Sequence, residues 1–186
     1  RGDGSGGGRW GTEREAALTD DDLISRIIER EGGLVDHPAD RGGITKFGIT
    51  QATLAAHRKG PASEDDVRNL SVTEAREIYR ERYIVGPGLH RIASEALRAV
   101  LVDYGVHSGP GTAVRALQRT LGVVVDGVIG PDTEQRANLL DGRRLALRVL
   151  ARRAQHFGEI ITKDPKQAVF AHGWMNRLAE QIVEVA

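Results

Sequence analysis

Residues 29–50, EREGGLVDHPADRGGITKFGIT, combine three kinds of side chain that could act together: the carboxyl of Glu31, the carboxylate of Asp40 and the hydroxyl of Thr45. An acid placed to give up a proton, opposite a carboxylate and a hydroxyl, can protonate a glycosidic oxygen on one face of a sugar. The other two groups can then hold a water, or stabilise a cation, on the opposite face. The glycine pairs at 32–33 and 42–43 would let a bulky ligand come close to the backbone. Neither pair has the spacing of a phosphate-binding loop, and Gly32-Gly33 ends a helix rather than opening one.

The elements that must position these groups follow from the hydrophobic pattern. A helix begins after Thr19, a residue suited to an N-cap, with Asp20 to Asp22 at the positive end of its dipole and Gly32-Gly33 as its stop. Ile24, Ile27 and Ile28 make its apolar stripe. The next member of that stripe is Glu31, whereas Glu29 falls on the wet side with Ser25 and Arg26. A partly buried carboxyl in the last turn is disfavoured as an anion both by desolvation and by the negative end of the helix. That is the setting a proton donor needs. The competing reading is that Glu31 turns to the rim and caps the helix, or pairs with Arg30 or Arg41.

Residues 34–42 read as a loop, and GITKFGIT (43–50) as a small β-hairpin. Thr50 caps a helix ending near Gly60, and Ser71 with Glu74 forms a capping box for a helix whose inner face holds Ala75, Ile78, Tyr79 and Tyr83. Further helices start near Ser94, after the 109–111 break and at Gly130-Pro131, the last following the extended segment 123–130 with its Asp-Gly turn. Two longer helices close the chain, one around Leu145 to Ile161, the other from Pro165 with Phe170, Trp174, Leu178, Ile182 and Val185 inward. The predicted fold class is α+β, mostly helical, with a small β-hairpin next to the helix that carries Glu31. Residues 1–18 form a Gly-rich tail or linker, and 19–186 form a single domain of two lobes, 19–108 and 109–186.

Composition removes several classes of function. Lys+Arg and Asp+Glu balance at 26 each, so no global field draws in a polyanion. Residues 143–186 nevertheless carry eight basic against four acidic side chains, a bias open to an anionic polymer or to a plain solvated face. With no cysteine there is no disulfide, thiolate metal site or thiol nucleophile. Aromatic residues make up only 4% and do not interleave with basic ones, which argues against nucleic acid as a partner. No apolar run is long enough for membrane insertion. The chain starts at Arg1 without a signal-peptide core, so it reads as a fragment or processed product whose export route is open.

The stretch EGGLVDHPADRGGITKFGIT resembles the signature of glycoside hydrolase family 108, bacterial and phage N-acetylmuramidases of the lysozyme-like superfamily. YGVHSGPGTAVRALQRTLGVVVDGVIGPDT (104–133) and FAHGWMNRL (170–178) resemble that family's C-terminal segment, a predicted peptidoglycan-binding region. The resemblance covers about Thr19 to Ala186. It implies a lysozyme-like fold, Glu31 as the catalytic acid, and an endolysin-type enzyme acting at the bacterial cell wall, in the periplasm or outside the cell. The substrate would be the β-1,4 bond between N-acetylmuramic acid and N-acetylglucosamine in peptidoglycan glycan strands. Asp40 and Thr45 fall where phage-type lysozymes carry an Asp and a Thr, although the threonine there usually stands one residue farther on. The family usually has asparagine in place of His107.

Two alternatives use the same residues: a lytic transglycosylase on the same fold, and a peptidoglycan-binding module without activity. Acid catalysis and positioning require no cofactor or metal. Asp103 and His107, at i and i+4, have the spacing of a ligand pair, but no HExxH or third ligand accompanies them. Tyr104 and His107 read as helix-face core residues or as the lining of a saccharide groove. Trp174 and Phe170 have the spacing of core.

Overall fold

A computed structural model describes residues 19–35 and 43–186. The first helix, α1 (Asp20–Glu31), opens on a reciprocal cap. The Thr19 hydroxyl accepts from the backbone N–H of Asp22 at 3.2 Å, and the Asp22 carboxylate accepts from the backbone N–H of Thr19 at 2.9 Å. The two acids before Asp22 reach outward to neighbouring helices: Asp20 pairs with Arg98, and Asp21 with Arg80. Leu23, Ile24, Ile27 and Ile28 are buried, and Gly32, with φ of 80°, ends the helix.

The expected hairpin is part of a three-stranded antiparallel sheet of two-residue strands, β1 (Leu34–Val35), β2 (Thr45–Lys46) and β3 (Ile49–Thr50), in the order β1-β2-β3. Val35 stands opposite Thr45, and Thr45 opposite Thr50. Phe47 and Gly48 make the turn, both with positive φ (54° and 71°), the geometry that joins two twisted strands with two residues. β1 falls in the stretch read as loop, because two residues are too few to show a period.

Next come α2 (Gln51–Arg58), capped by Thr50, the short α3 (Glu64–Arg68), and α4 (Val72–Arg80), which runs on into a π-helical turn, Glu81–Val85. Nothing in the hydrophobic pattern announced α3; its signal is the capping box of Ser63 and Asp66. Ser71 does cap α4, accepting from the Glu74 N–H at 3.1 Å, but the expected box is not closed. Glu74 turns instead to Arg58, which meets it with two bonds of 2.7 and 3.0 Å. A bidentate ion pair outcompetes a single bond back to the backbone.

The middle of the molecule is α5 (Glu95–Ser108). Its buried residues, among them Leu97, Val100, Leu101, Val102 and Tyr104, point all round the helix, as they must in one surrounded by others. Packed on it are α6 (Pro110–Leu121) and α8 (Gly142–Lys163), with α7 (Pro131–Leu139) between them in sequence. Segment 123–130 forms no strand. After a 3-10 turn at Pro165–Phe170, α9 (Ala171–Val185) lies against α8. Its inward face is Leu178, Gln181 and Val185. Phe170 and Ile182, expected inside, are 54% and 42% exposed. The reason for Phe170 is that the 3-10 turn precedes α9 and breaks the register assumed from Pro165 onward. One hydrophobic cluster runs from Ile24 in α1 to Val185 in α9. The mostly helical α+β class expected from the sequence holds, with the small sheet beside α1.

Candidate active site

Glu31 is the last residue of α1 and is half-buried, while Glu29 is exposed, as the stripe requires. The wall in front of it is the Phe47–Gly48 turn. A β-carbon at Gly48 would stand 2.9 Å from Oε2 of Glu31, 3.2 Å from its Cβ and 2.9 Å from the hydroxyl oxygen of Tyr79. Carboxyl and phenol therefore flank the bare α-carbon of a glycine. The Tyr79 hydroxyl donates to the carbonyl oxygen of Phe47 at 2.9 Å, so a buried side chain from α4 pins the turn against the carboxyl. Among the described residues no hydrogen bond ties up the Glu31 oxygens. Burial first, and the negative charge of Glu31 second, push the Tyr79 hydroxyl above the ordinary phenol range. It stays protonated and remains a donor. Tyr83 stacks on Tyr79 with ring centroids 5.4 Å apart. Burial pushes its hydroxyl up too, against the Arg82 cation and with Glu31 adding to the effect.

Thr45 lies two residues before the turn, half-buried on the central strand. Asp40 lies outside the described residues. Thus Glu31 and the hairpin bearing Thr45 are brought together from elements that the sequence separates by a loop.

Asp103 and His107 do not form a ligand pair. Asp103 accepts from Arg153 at 2.7 Å, from Arg177 at 2.6 and 3.0 Å, and from Arg30, the neighbour of Glu31, at 3.2 Å. His107 sits edge-on between the rings of Phe157 and Trp174, at 5.4 and 5.8 Å. Burial, and then the charges of Arg153 and Arg177, hold its imidazole below the ordinary histidine range. It is therefore neutral at neutral pH, able to hydrogen-bond without carrying a charge. Tyr104 is buried and faces α6 and α8, its ring under the guanidinium of Arg153 at 5.1 Å. Trp174 stacks on Phe157 at 4.9 Å and is half-buried, while its other neighbour, Phe170, reaches the surface.

Tyr79, Gly48 and Arg177 belong to the site's surroundings but were missed as site residues. Tyr79 has the signal of plain core. Gly48 is legible as a turn glycine, but its closeness to Glu31 is not. Arg177 donates through Nε and Nη2 to Asp103. Burial opposes its charge, but Asp103, with Glu31 adding, outweighs that and holds it above the ordinary range. It is thus a fixed cation that feels the Glu31 charge, and nothing in its sequence context marks it.

The site is thus a carboxyl at the end of a helix, walled by the turn of a small sheet and faced by a phenol, on a mostly helical α+β fold. The chain belongs to the Glycosyl hydrolase 108 family, whose model matches residues 24–109. Residues 112–179 match a second model, Predicted Peptidoglycan domain. Twelve solved chains match the structure. Brucella abortus SagA is similar at 30% identity with a TM-score of 0.76, over 89% of this chain and 92% of that one. No curated protein sequence matches the chain.

Proposed function

We propose that this protein is an N-acetylmuramidase that cleaves the β-1,4 bond between N-acetylmuramic acid and N-acetylglucosamine in peptidoglycan, at the bacterial cell wall. The observation that carries this reading is the Glu31 carboxyl, half-buried at its helix end against the bare backbone of Gly48. Glu31 gives its proton to the leaving oxygen. Asp40 or Thr45 orients the water or stabilises the oxocarbenium-like transition state, and which of them does so sets the stereochemical course. Residues 19–186 act as one lysozyme-like domain, the first lobe carrying the acid and the second lobe holding wall polymer. His107, neutral and flanked by rings, hydrogen-bonds sugar; Tyr104, buried under Arg153, serves as core.

The test is mass spectrometry of fragments released from purified peptidoglycan, alongside Glu31→Gln. Wild type is expected to release fragments with reducing muramic-acid ends. The variant should lose about 10²–10⁴-fold in rate while keeping the far-UV spectrum of the wild type. Anhydro ends would instead make it a transglycosylase, and freed stem peptides would remove Glu31 from the role of acid.

A further inference from the structure

The basic bias of the C-terminal third takes a definite shape in the fold. A trough lies between α6 and α8, with Tyr104, Ala116 and Thr112 at its floor. Arg115 and Arg119 line it from α6, and Arg148 and Arg152 from α8. Its two hollows, of about 310 and 270 Å³, share Arg152 and Gln155 in their linings. In each pair the arginines are four residues apart, which spaces them by about 6 Å along the helix.

Half of the described arginines have acidic partners, among them Arg58 with Asp66 and Glu74, Arg80 with Asp21, and Arg98 with Asp20. The four trough arginines form no ion pair among the described residues. The acid at the trough, Glu159, faces His156 at 3.9 Å. With Glu159 at the trough and Asp126 of the neighbouring loop near Arg115, the four arginines leave a net local positive field on a chain of zero net charge. The guanidinium of Arg115 lies over Gly111 and Gly127, 2.9 and 3.0 Å from where β-carbons would stand. Guanidinium groups suit carboxylates, which they can meet with two parallel bonds.

We infer that the α6–α8 trough binds the carboxylate-bearing peptide stems of peptidoglycan. The inference rests on the wall-polymer reading above, and it assigns the grip on the wall to a surface with no lining from α1 or the sheet. Stems fit better than a phosphodiester chain because Thr112 and Gln155 offer hydrogen bonds to amides between the carboxylates, which a chain held by charge alone does not need. Arg115, Arg119, Arg148 and Arg152 all lie within the segment that matches the Predicted Peptidoglycan domain.

The test is co-sedimentation of the full chain with purified sacculi freed of phosphodiester polymers, compared with sacculi whose stem carboxylates have been amidated. Combined Arg115→Gln, Arg119→Gln and Arg152→Gln is expected to weaken binding about tenfold. Amidation should weaken wild-type binding by a similar factor and leave the triple variant unchanged. Arg136→Gln, on exposed α7, should bind as wild type. The single variants Arg119→Gln and Arg152→Gln, each with a wild-type melting temperature, replace the triple if it misfolds, and should each weaken binding severalfold. Equal binding by wild type and variants, or no effect of amidation, would overturn the inference. So would a difference seen only on sacculi that keep their phosphodiester polymers, which would make the trough a phosphate site. Release of reducing ends is read separately. If Glu31→Gln cleaves as well as wild type while the trough variants still lose binding, the muramidase reading fails and the trough stands.

Discussion

At the scale of single residues, Glu31 and Gly48 depend on each other. Glu31 is the half-buried acid at the C-terminal end of its helix, and Gly48 leaves room for its carboxyl. Gly48→Ala should fail on two counts. Its φ of +71° is strained for any residue with a β-carbon, at a cost of about 1–2 kcal/mol. The new methyl would also stand 2.9 Å from both Oε2 of Glu31 and the Tyr79 hydroxyl, so one of them must move. The expected outcome is a modest fall in melting temperature and a larger fall in kcat, about 10²-fold, with substrate binding nearly unchanged. A loss confined to stability would show that the turn does not position the acid. Glu31 itself could be read from periodicity; the closeness of Gly48 could not, since sixteen positions intervene in the chain.

At the scale of elements, the loop between α6 and α7 shows how an irregular segment is fixed. Gln118, 1% exposed on α6, donates through Nε2 to Asp126 at 2.7 Å and to the Val128 carbonyl at 2.9 Å. Its own Oε1 accepts from the Gly127 N–H at 2.8 Å. Three of the loop's hydrogen bonds thus converge on one side chain, while Arg91 donates to the Ile129 carbonyl at 3.1 Å. Gln118→Ala should cost about 1–3 kcal/mol, because a part-buried carbonyl and N–H lose their partner. Hydrogen exchange at Gly127 and Val128 should speed up well before the α6 amides do. Uniform exchange across both would mean that the loop is held by packing alone. In the sequence Gln118 looks like one more polar residue on a helix, and the segment it secures reads as extended because of its valines. The start of α7 at Pro131 was plain from the Gly130-Pro131 pair, whereas α6 begins at Pro110, inside the stretch read as a break.

At the scale of the whole molecule, Asp103 joins four helices: its own α5, α1 through Arg30, α8 through Arg153 and α9 through Arg177. Arg153 is fully buried, and its Nε and Nη2 have no hydrogen-bond partner, so Asp103, the Gln181 side-chain oxygen at 2.6 Å and the flanking Tyr104 and Phe157 rings are what offset its charge. Removing one member of such a pair strands the other. Asp103→Asn should lower unfolding free energy by about 3–5 kcal/mol in a denaturant titration. Burial pushes the Asp103 carboxyl up, but the hydrogen bonds and charges of Arg177 and Arg153 outweigh it and hold it below the ordinary carboxylate range. Its stabilisation is thus complete above the unfolded value of about 4 and lost as pH falls through the lower native one. Wild type should lose stability below about pH 4 by a step that Asp103→Asn lacks. Identical acid profiles would show that other carboxylates set the acid limit.

Taken alone, the sequence determined whatever is written within a few turns of chain. It gave the α1 stripe with Glu31 on it, the Phe47–Gly48 hairpin, the caps at Thr19, Thr50, Ser71 and Ser94, and the mostly helical class. These rest on local periods and on hydrogen bonds between residues three or four apart. The tertiary structure alone decided which residues from distant segments meet. It turned Glu74 away from its cap to Arg58, set Phe170 outside the core, spent Asp103 on arginines 50 and 74 residues away, and lined one trough with arginines from two helices. Long-range pairing depends on how whole helix faces pack, and a charged side chain in one sequence gives no sign of which partner that packing will supply.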